Sequence, residues 1–162
     1  MVTDPSQHDC GLTVELGTAV AEGVELSLNY QAGNLAGWLS YTRSRVRDRV
    51  DGEWLNRSWD QRDYASAGLH WRNDRWEASL AATWHRGWPT TEVELLTLEP
   101  FPLASVQTRN AARIGDYARI DLRLARRFVL ESAGEITAFV EVNNLLKRNN
   151  DCCVEYQIED EE

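Results

Sequence analysis

The sequence predicts an all-β protein, an antiparallel up-and-down meander of about six long strands that forms an open segment of a transmembrane β-barrel. Three observations predict this fold class. Apolar and polar residues alternate in six segments of the 162-residue chain, which is the period of a strand with one apolar face. Short and long connections alternate between these segments. Aromatic residues fall near the segment ends on the apolar face, as amphipathic rings do at a membrane interface.

The first two predicted strands lie near residues 17–31 and 35–45. Polar residues separate the apolar residues of the first strand, which are Val24, Leu26, Leu28 and Tyr30. A turn at residues 32–34 leads into the second strand, where Leu39 and Tyr41 share the apolar face. Trp38 falls on the polar face, so this strand alternates least regularly.

The third and fourth predicted strands, near residues 62–72 and 75–86, form a hairpin. Asn73 and Asp74 lie between them and tolerate the positive φ of a tight hairpin turn. The predicted apolar face of this hairpin comprises Ala65, Ala67, Leu69, Trp71, Trp76, Ala78, Leu80, Ala82 and Trp84.

The last two predicted strands lie near residues 114–128 and 135–145 and are joined by a turn at residues 132–134. An acidic loop tail, residues 147–162, follows them. Their apolar positions are Ala118, Ile120, Leu122, Leu124, Ile136, Ala138, Val140 and Val142.

The two long polar connections, residues 46–63 and 87–113, alternate with the three short turns. In a meander this order places every short turn at one end of the sheet and every long loop at the other. Barrels of the bacterial outer membrane have this asymmetry, with short periplasmic turns and long extracellular loops.

The aromatic residues predict two girdles on the apolar face. Trp76 and Trp84 are eight residues apart, about 26 Å along a strand at ~3.3 Å per residue. At a tilt of ~40° this projects to about 20 Å, close to the ~25 Å apolar band of such barrels. The girdle at the short turns comprises Tyr30, Trp71, Trp76 and Phe128, and the girdle at the long loops comprises Tyr41 and Trp84.

Two other classes of protein fit the alternation. One is a soluble, tryptophan-rich β-sandwich that binds carbohydrate, because an antiparallel sheet can pack one face on a core. The other is a complete small outer-membrane barrel of eight strands with a structural or adhesive role. The net charge of −9 argues against a nucleic-acid partner.

Six segments in order give the sequence a family resemblance: GVELSL, GWLSYTRSR, RSWDQRD, WHRGWPTT, RIGDYARIDLRLARRF and FVEVNNLLKRNNDCCVEY. Residues 17–145 resemble the C-terminal strands of a TonB-dependent outer-membrane receptor. The resemblance implies a place in the bacterial outer membrane and energised uptake of a scarce solute such as a ferric siderophore, without catalysis. It implies as partners the membrane lipid, the remaining barrel strands, a plug domain and TonB.

Members of that family have an N-terminal plug and about 22 strands. We therefore expect this chain to be a fragment without the plug and the last strand, cut within the last extracellular loop. The resemblance places solute contacts in the extracellular loops, where Trp54, Trp59 and Trp88 are the candidate rings. The alternative role for each tryptophan is packing within its loop.

Other site chemistry is weak in the sequence. Asp60, Arg62, Asp63, Arg119 and Asp121 fit an acid–base cluster or, more simply, ion pairs lining a lumen. We expect no cofactor and no metal site. The three cysteines fit free thiols, a vicinal disulfide, or a bond from Cys10 to either Cys152 or Cys153, because the outer leaflet faces an oxidising compartment.

Overall fold

The described residues form one large antiparallel sheet and two small two-stranded sheets, both of which lie in the second long connection. The computed structural model describes residues 17–98, 101–106, 108–131 and 134–151. The strands are β1 (Thr18–Ala32), β2 (Leu35–Val50), β3 (Glu53–Asn56), β4 (Asp63–Arg72), β5 (Trp76–His85), β6 (Pro89–Thr90), β7 (Val93–Leu98), β8 (Phe101–Val106), β9 (Ala112–Arg113), β10 (Tyr117–Leu130) and β11 (Gly134–Val142).

The large sheet has the order β1-β2-β4-β5-β10-β11, with β3 paired to the far end of β2. Each of these strands pairs antiparallel with its neighbours, so the path is an up-and-down meander. The sheet is not closed: β1 and β11 are its edges in the described part of the chain. The predicted fold class, an open segment of a β-barrel, is therefore confirmed.

The two long connections contain more strand than the sequence analysis allowed. β2 continues to Val50 and turns back into β3, while the second connection contains β6 to β9. The cause in β2 is the run RSRVRDRV, in which arginines replace apolar residues at every second position. An analysis based on apolar periodicity ends the strand where the apolar residues end, although the extended backbone continues.

The last strand is shorter than predicted. It ends at Val142, and Asn144 has a φ of 52°, which takes it out of the extended conformation. The backbone N–H of Asn144 donates to Asp121 at 2.8 Å instead of to a neighbouring strand. The N–H of Leu145 then returns to the carbonyl oxygen of Ile120 at 2.8 Å. The strand is therefore interrupted at Asn144.

The register gives the sheet one apolar face, called here the outward face. Leu28, Leu39, Ala67, Ala82 and Ile120 lie side by side in one row across it. The outward face is uncovered: Val24 is 74% exposed and Val140 is 69% exposed. Ala125, on the opposite face, is the only hydrophobic side chain that is buried within the described residues.

This exposure weighs against the soluble sandwich. A sandwich buries the apolar face of one sheet against a second sheet about 10 Å away. In the described residues the other sheets have only two strands each, and the row of Leu28 to Ile120 remains exposed or half-buried. A contiguous apolar surface of this extent is typical of a membrane or protein contact.

The aromatic residues at the short-turn end form a diagonal line across the outward face: Tyr30, Trp71, Trp76 and Phe128. In the register, each of these rings lies two residues nearer the short turns than the ring before it. The line therefore shifts by six residues along the strands over the four strand steps from β1 to β10. That is about 20 Å along the strands against about 19 Å across them. The line is tilted by about 45°, close to the roughly 35–45° strand tilt of membrane barrels.

Trp38 lies on the opposite, polar face, as its position in the alternation predicts. It is paired in register with Gly68, and a Cβ atom on Gly68 would overlap the Trp38 indole. The indole therefore lies across the glycine, which leaves room for a large ring on this face.

Candidate solute-contact surface at the long-loop end

Asp60 is the hub of the long-loop end. Its side chain is completely buried, and one carboxylate oxygen accepts hydrogen bonds from Arg62 at 2.7 Å and Arg113 at 2.5 Å. The other oxygen accepts from the backbone N–H of Val46 at 2.6 Å. Arg113 also donates to the carbonyl oxygens of Asp60 and Gly87 at 2.8 and 2.9 Å. The hub therefore ties the first long connection to the second.

The electrostatics of the hub favour the ionised carboxylate. Burial by itself raises the pKa of Asp60, but hydrogen bonds from Arg62 and Val46, the charge of Arg62 and a hydrogen bond from Arg113 outweigh it. The net effect lowers the pKa of Asp60 below its ordinary value. A buried charge needs such partners, because an unpaired one is costly.

A second junction joins the same two connections. Asn110 is buried, and its side-chain amide donates to the carbonyl oxygen of Asn56 at 2.7 Å and to Ser58 Oγ at 3.3 Å. Its backbone N–H donates to Thr91 Oγ1 at 3.0 Å. Asn110 has a φ of 56°, a conformation that asparagine tolerates better than most residues. Asn110 thus forms a turn in the second connection and also joins that connection to the first.

Gly87 allows the second connection to fold close to the sheet. A Cβ atom at this position would overlap the carbonyl oxygen of Ile114, so only glycine fits the approach. The backbone N–H of Gly87 donates to Asp116 at 3.1 Å. The short strands β6 and β9 pair directly afterwards, with Pro89 opposite Arg113. The motif WHRGWPTT therefore places Trp88 beside the sheet.

Four rings meet on the polar face below this closure. His85 is paired in register with Tyr64 on one side and Tyr117 on the other. The His85 and Tyr117 rings are stacked with centroids 4.7 Å apart, and the Tyr64 ring is stacked at 6.4 Å. The Trp88 indole lies against His85 at 5.6 Å with a tilt of 53°. We call these four residues the ring cluster.

The three tryptophans predicted as solute contacts lie in different surroundings. Trp88 belongs to the ring cluster. Trp59 is 65% exposed, with the Arg57 guanidinium 5.7 Å from its ring. Trp54 is paired with Arg49, so it lies on the outward face rather than on the face of the ring cluster. The structure thus brings Trp88 to the candidate site and leaves Trp54 apart from it.

The ring cluster was not found as a unit from the sequence. Tyr64, His85 and Tyr117 are far apart in the chain and meet only through the register of β4, β5 and β10. A signal was present, since each is an aromatic ring on the polar side at the long-loop end of its strand. Combining that signal across strands requires knowing the register, which the alternation does not supply.

The predicted girdle residues all lie on the outward face. Tyr41 and Trp84 share one row at the long-loop end, both opposite Ala65. At the short-turn end, the outward face also carries Arg126, which the sequence analysis left out. Its guanidinium lies 5.1 Å from the Trp76 ring and 4.9 Å from the Phe128 ring. An arginine side chain in this position packs its methylene groups on the rings while its guanidinium reaches the membrane interface.

The acid–base cluster is not formed. Asp60 and Arg62 belong to the hub. Asp63 instead accepts from the Tyr41 hydroxyl at 2.7 Å, on the outward face. Arg119 and Asp121 pair with each other at 2.8 Å on the polar face. These groups form separate ion pairs and hydrogen bonds rather than one cluster, and Asp63 lies on the outward face rather than on the face predicted to line a lumen.

Cys10, Cys152 and Cys153 lie outside the described residues. Within the described part of the chain, no three histidine, cysteine or acidic side chains are grouped to hold a metal ion. The same residues include no helix long and apolar enough to cross a membrane.

The meander, its open edges and its uncovered apolar face define the class of protein: a segment of a membrane β-barrel wall. The family model for the TonB dependent receptor-like beta-barrel matches residues 2–145. Because that match spans most of the 162 residues, the chain belongs to this family, which is a family of outer-membrane proteins. Neither the curated proteins nor the solved structures include a significant match.

Proposed function

We propose that the chain forms part of the wall and part of the outer vestibule of a receptor in the bacterial outer membrane. The receptor takes up a scarce solute, such as a ferric siderophore, with energy passed through TonB, and catalyses no reaction. In this arrangement the polar face lines the lumen and the outward face meets lipid. The long-loop end faces the outside of the cell, as the long loops of such barrels do.

The single observation that carries the proposal is the position of the ring cluster below two loops that are locked together. The hub at Asp60 and the junction at Asn110 hold both long connections over the polar face at this end. The rings lie on that same face. A solute that enters between the loops meets these rings first.

The hub and the junction suit a binding role because they hold the described parts of both connections together before a solute arrives. Ordering a loop on binding costs affinity, so a preorganised vestibule binds more tightly than a flexible one. The hydrogen bonds of the hub are charge-assisted, a strong kind in proteins. They also involve backbone groups of both connections.

The chemistry of the ring cluster suits a solute with flat, partly polar groups. The Nδ1 atom of His85 lies 3.0 Å from the carbonyl oxygen of Arg86. A carbonyl oxygen only accepts, so this contact is a hydrogen bond in the tautomer that carries its proton on Nδ1, and that tautomer presents Nε2 as an acceptor. Trp88 adds an indole, which combines apolar area with an N–H donor. Catechol and hydroxamate groups of siderophores match such partners.

The test is uptake of labelled ferric siderophores by iron-limited cells that make the protein from its own gene. We expect uptake of at least one siderophore to require both this gene and TonB. Trp88→Ala should weaken binding of that solute about tenfold, since a buried ring at a binding hot spot contributes more than 1 kcal/mol.

Trp54→Ala is the matched control, because it removes the same side chain from the outward face of the same end. It should leave uptake unchanged. Uptake that continues without TonB would contradict the proposal. So would equal effects of the two tryptophan substitutions at equal amounts of protein in the membrane.

A further inference from the structure

The outward face of β2 changes character at Tyr41. Below it, Leu35 and Leu39 are exposed apolar residues. Above it, every second residue is arginine. This arginine column comprises Arg43, Arg45, Arg47 and Arg49, which are paired in register with Val24, Glu22, Val20 and Thr18 of β1. Because the pairing of β2 with β1 has no bulge, the column lies on the same face as Leu39 and Tyr41.

The column has few counter-charges. Arg47 reaches Glu22 at 3.4 Å, and its guanidinium lies 5.3 Å from the Trp54 ring. Arg45 and Arg49 have no ion pair within the described residues. The Nε atoms of Arg45 and Arg47 are buried and lack a hydrogen-bond acceptor there.

The neighbouring strands do not neutralise the column. Asp63 lies opposite Arg43, but it is already engaged by the Tyr41 hydroxyl at 2.7 Å and by Arg86 at 3.7 Å. Asp48 belongs to the other face and pairs with Arg57. Among the outward-facing residues of β1, β2 and β4 at this end, the four arginines of the column therefore stand against the two carboxylates of Glu22 and Asp63.

The arginine column begins at the level of the lipid headgroups. With a strand tilt of about 45°, each residue rises roughly 2.3 Å above the membrane plane. Arg43 thus lies about 5 Å beyond Tyr41, within the headgroup layer of roughly 5–8 Å that covers each side of the hydrocarbon core, and Arg45 lies about 9 Å beyond Tyr41, at the outer boundary of that layer. Arg47 and Arg49 lie further out, within reach of larger headgroups.

We propose that the arginine column is a docking site for phosphate-bearing headgroups of the outer leaflet. Guanidinium groups bind phosphate oxygens in a bidentate manner, which favours arginine over lysine at such a site. This inference rests on the membrane placement given under the proposed function.

The test uses the natural protein in nanodiscs of zwitterionic phospholipid, with and without added phosphatidic acid, and counts retained lipids by native mass spectrometry. We expect preferential retention of phosphatidic acid. Each basic residue near an anionic surface contributes a factor of about five, so the double variant R45Q/R49Q should lose roughly twentyfold of that preference. The control R72Q/R75Q removes two exposed arginines at the short-turn end and should keep it.

The conservative variant R45K/R49K keeps both charges and loses the bidentate geometry. We expect it to fold and to retain an intermediate preference, so it decides the question if R45Q/R49Q does not fold. Equal preference in R45K/R49K, R72Q/R75Q and the unaltered protein would overturn the inference, as would full competition by inorganic phosphate alone. A protein that does not enter nanodiscs would instead refute the membrane placement itself.

Discussion

The two halves of β2 share one backbone and one face but meet different surroundings. From Leu35 to Tyr41 the outward side chains are apolar or aromatic, and from Arg43 to Arg49 they are all arginine. The pairing with β1 continues without interruption from Leu35 to Arg49. The backbone pairing is therefore the same inside and outside the hydrocarbon layer, and only the type of outward side chain changes where that layer ends.

The same contrast separates the two ends of the whole sheet. At the level of the apolar band, strands are held by backbone pairing, and the outward side chains remain uncovered. At the long-loop end, two connections are held by buried polar side chains, Asp60 and Asn110. Membrane-level strands need no side-chain clamps because the ladder pairs their backbone groups, apart from the outer edges of β1 and β11 in the described residues. The long connections have only short ladders of their own, and buried side chains join one connection to the other.

The largest predicted effect is the loss of the contacts that hold the two long connections together. Asp60→Asn removes the charge that Arg62 and Arg113 share. Removing one partner of a buried ion pair costs about 3–5 kcal/mol. We expect trypsin to cleave residues 46–63 and 87–113 much faster in the variant on intact cells, while the membrane-level strands stay protected. Unchanged cleavage would show that Asp60 does not hold the loops.

The next effect tests the membrane-level half. Leu80→Arg places a charge in the middle of the outward face and should destabilise the barrel by about 2–4 kcal/mol. Ile136→Arg, on the same face at the short-turn end, should cost at most about 1 kcal/mol, because the penalty falls near the interface. Unfolding by urea in lipid vesicles measures both. Equal costs for the two variants would mean that depth in a bilayer does not matter.

The smallest effect comes from an ion pair that is only half-buried. Arg57 donates to Asp48 at 2.5 and 3.0 Å, but both side chains are about one-third exposed. Asp48→Asn should therefore change stability by no more than about 1 kcal/mol. A loss as large as that of Asp60→Asn in the same protease assay would show that burial does not set the strength of these pairs.

The pH dependence of loop protease resistance tests the role of Asp60 in the hub. The pKa of Asp60 is lowered in the folded protein, so its contribution is present above the ordinary carboxyl pKa of about 4 and is lost as the pH falls through the lowered value. Protease resistance of the loops should hold from neutral pH to about pH 4 and fail in stronger acid. In Asp60→Asn the resistance should be low throughout and should not change over this range.

The sequence predicted much of the sheet because alternation is a local signal. Val24 to Tyr30 or Trp76 to Trp84 can be assigned to strands from their own neighbours. The continuation of β2 to Val50 was missed because arginine occupied the positions where apolar residues were sought. Asn144 was placed inside a strand, since nothing nearby shows that its N–H bonds to Asp121.

The candidate site was less accessible to sequence analysis because it depends on register. Trp88 was chosen as a loop ring, but its partner His85 stacks with Tyr64 and Tyr117, which come from strands that pair with β5 only in the fold. Asp60 was recognised as ionic, yet its burial depends on Arg113, 53 residues away. Long-range partners of this kind leave no local periodicity.

The central claim is that the outward face meets lipid and the polar face meets water. One measurement tests it most directly: single cysteines at residues 80, 81, 82 and 83 of β5, in a protein whose own cysteines are serine, carry a fluorophore in lipid vesicles. The account predicts a period of two. Labels at 80 and 82 should be quenched by brominated lipid, and labels at 81 and 83 by iodide in water. Labels at 80 and 82 that neither quencher reaches would place this face against protein and contradict the account.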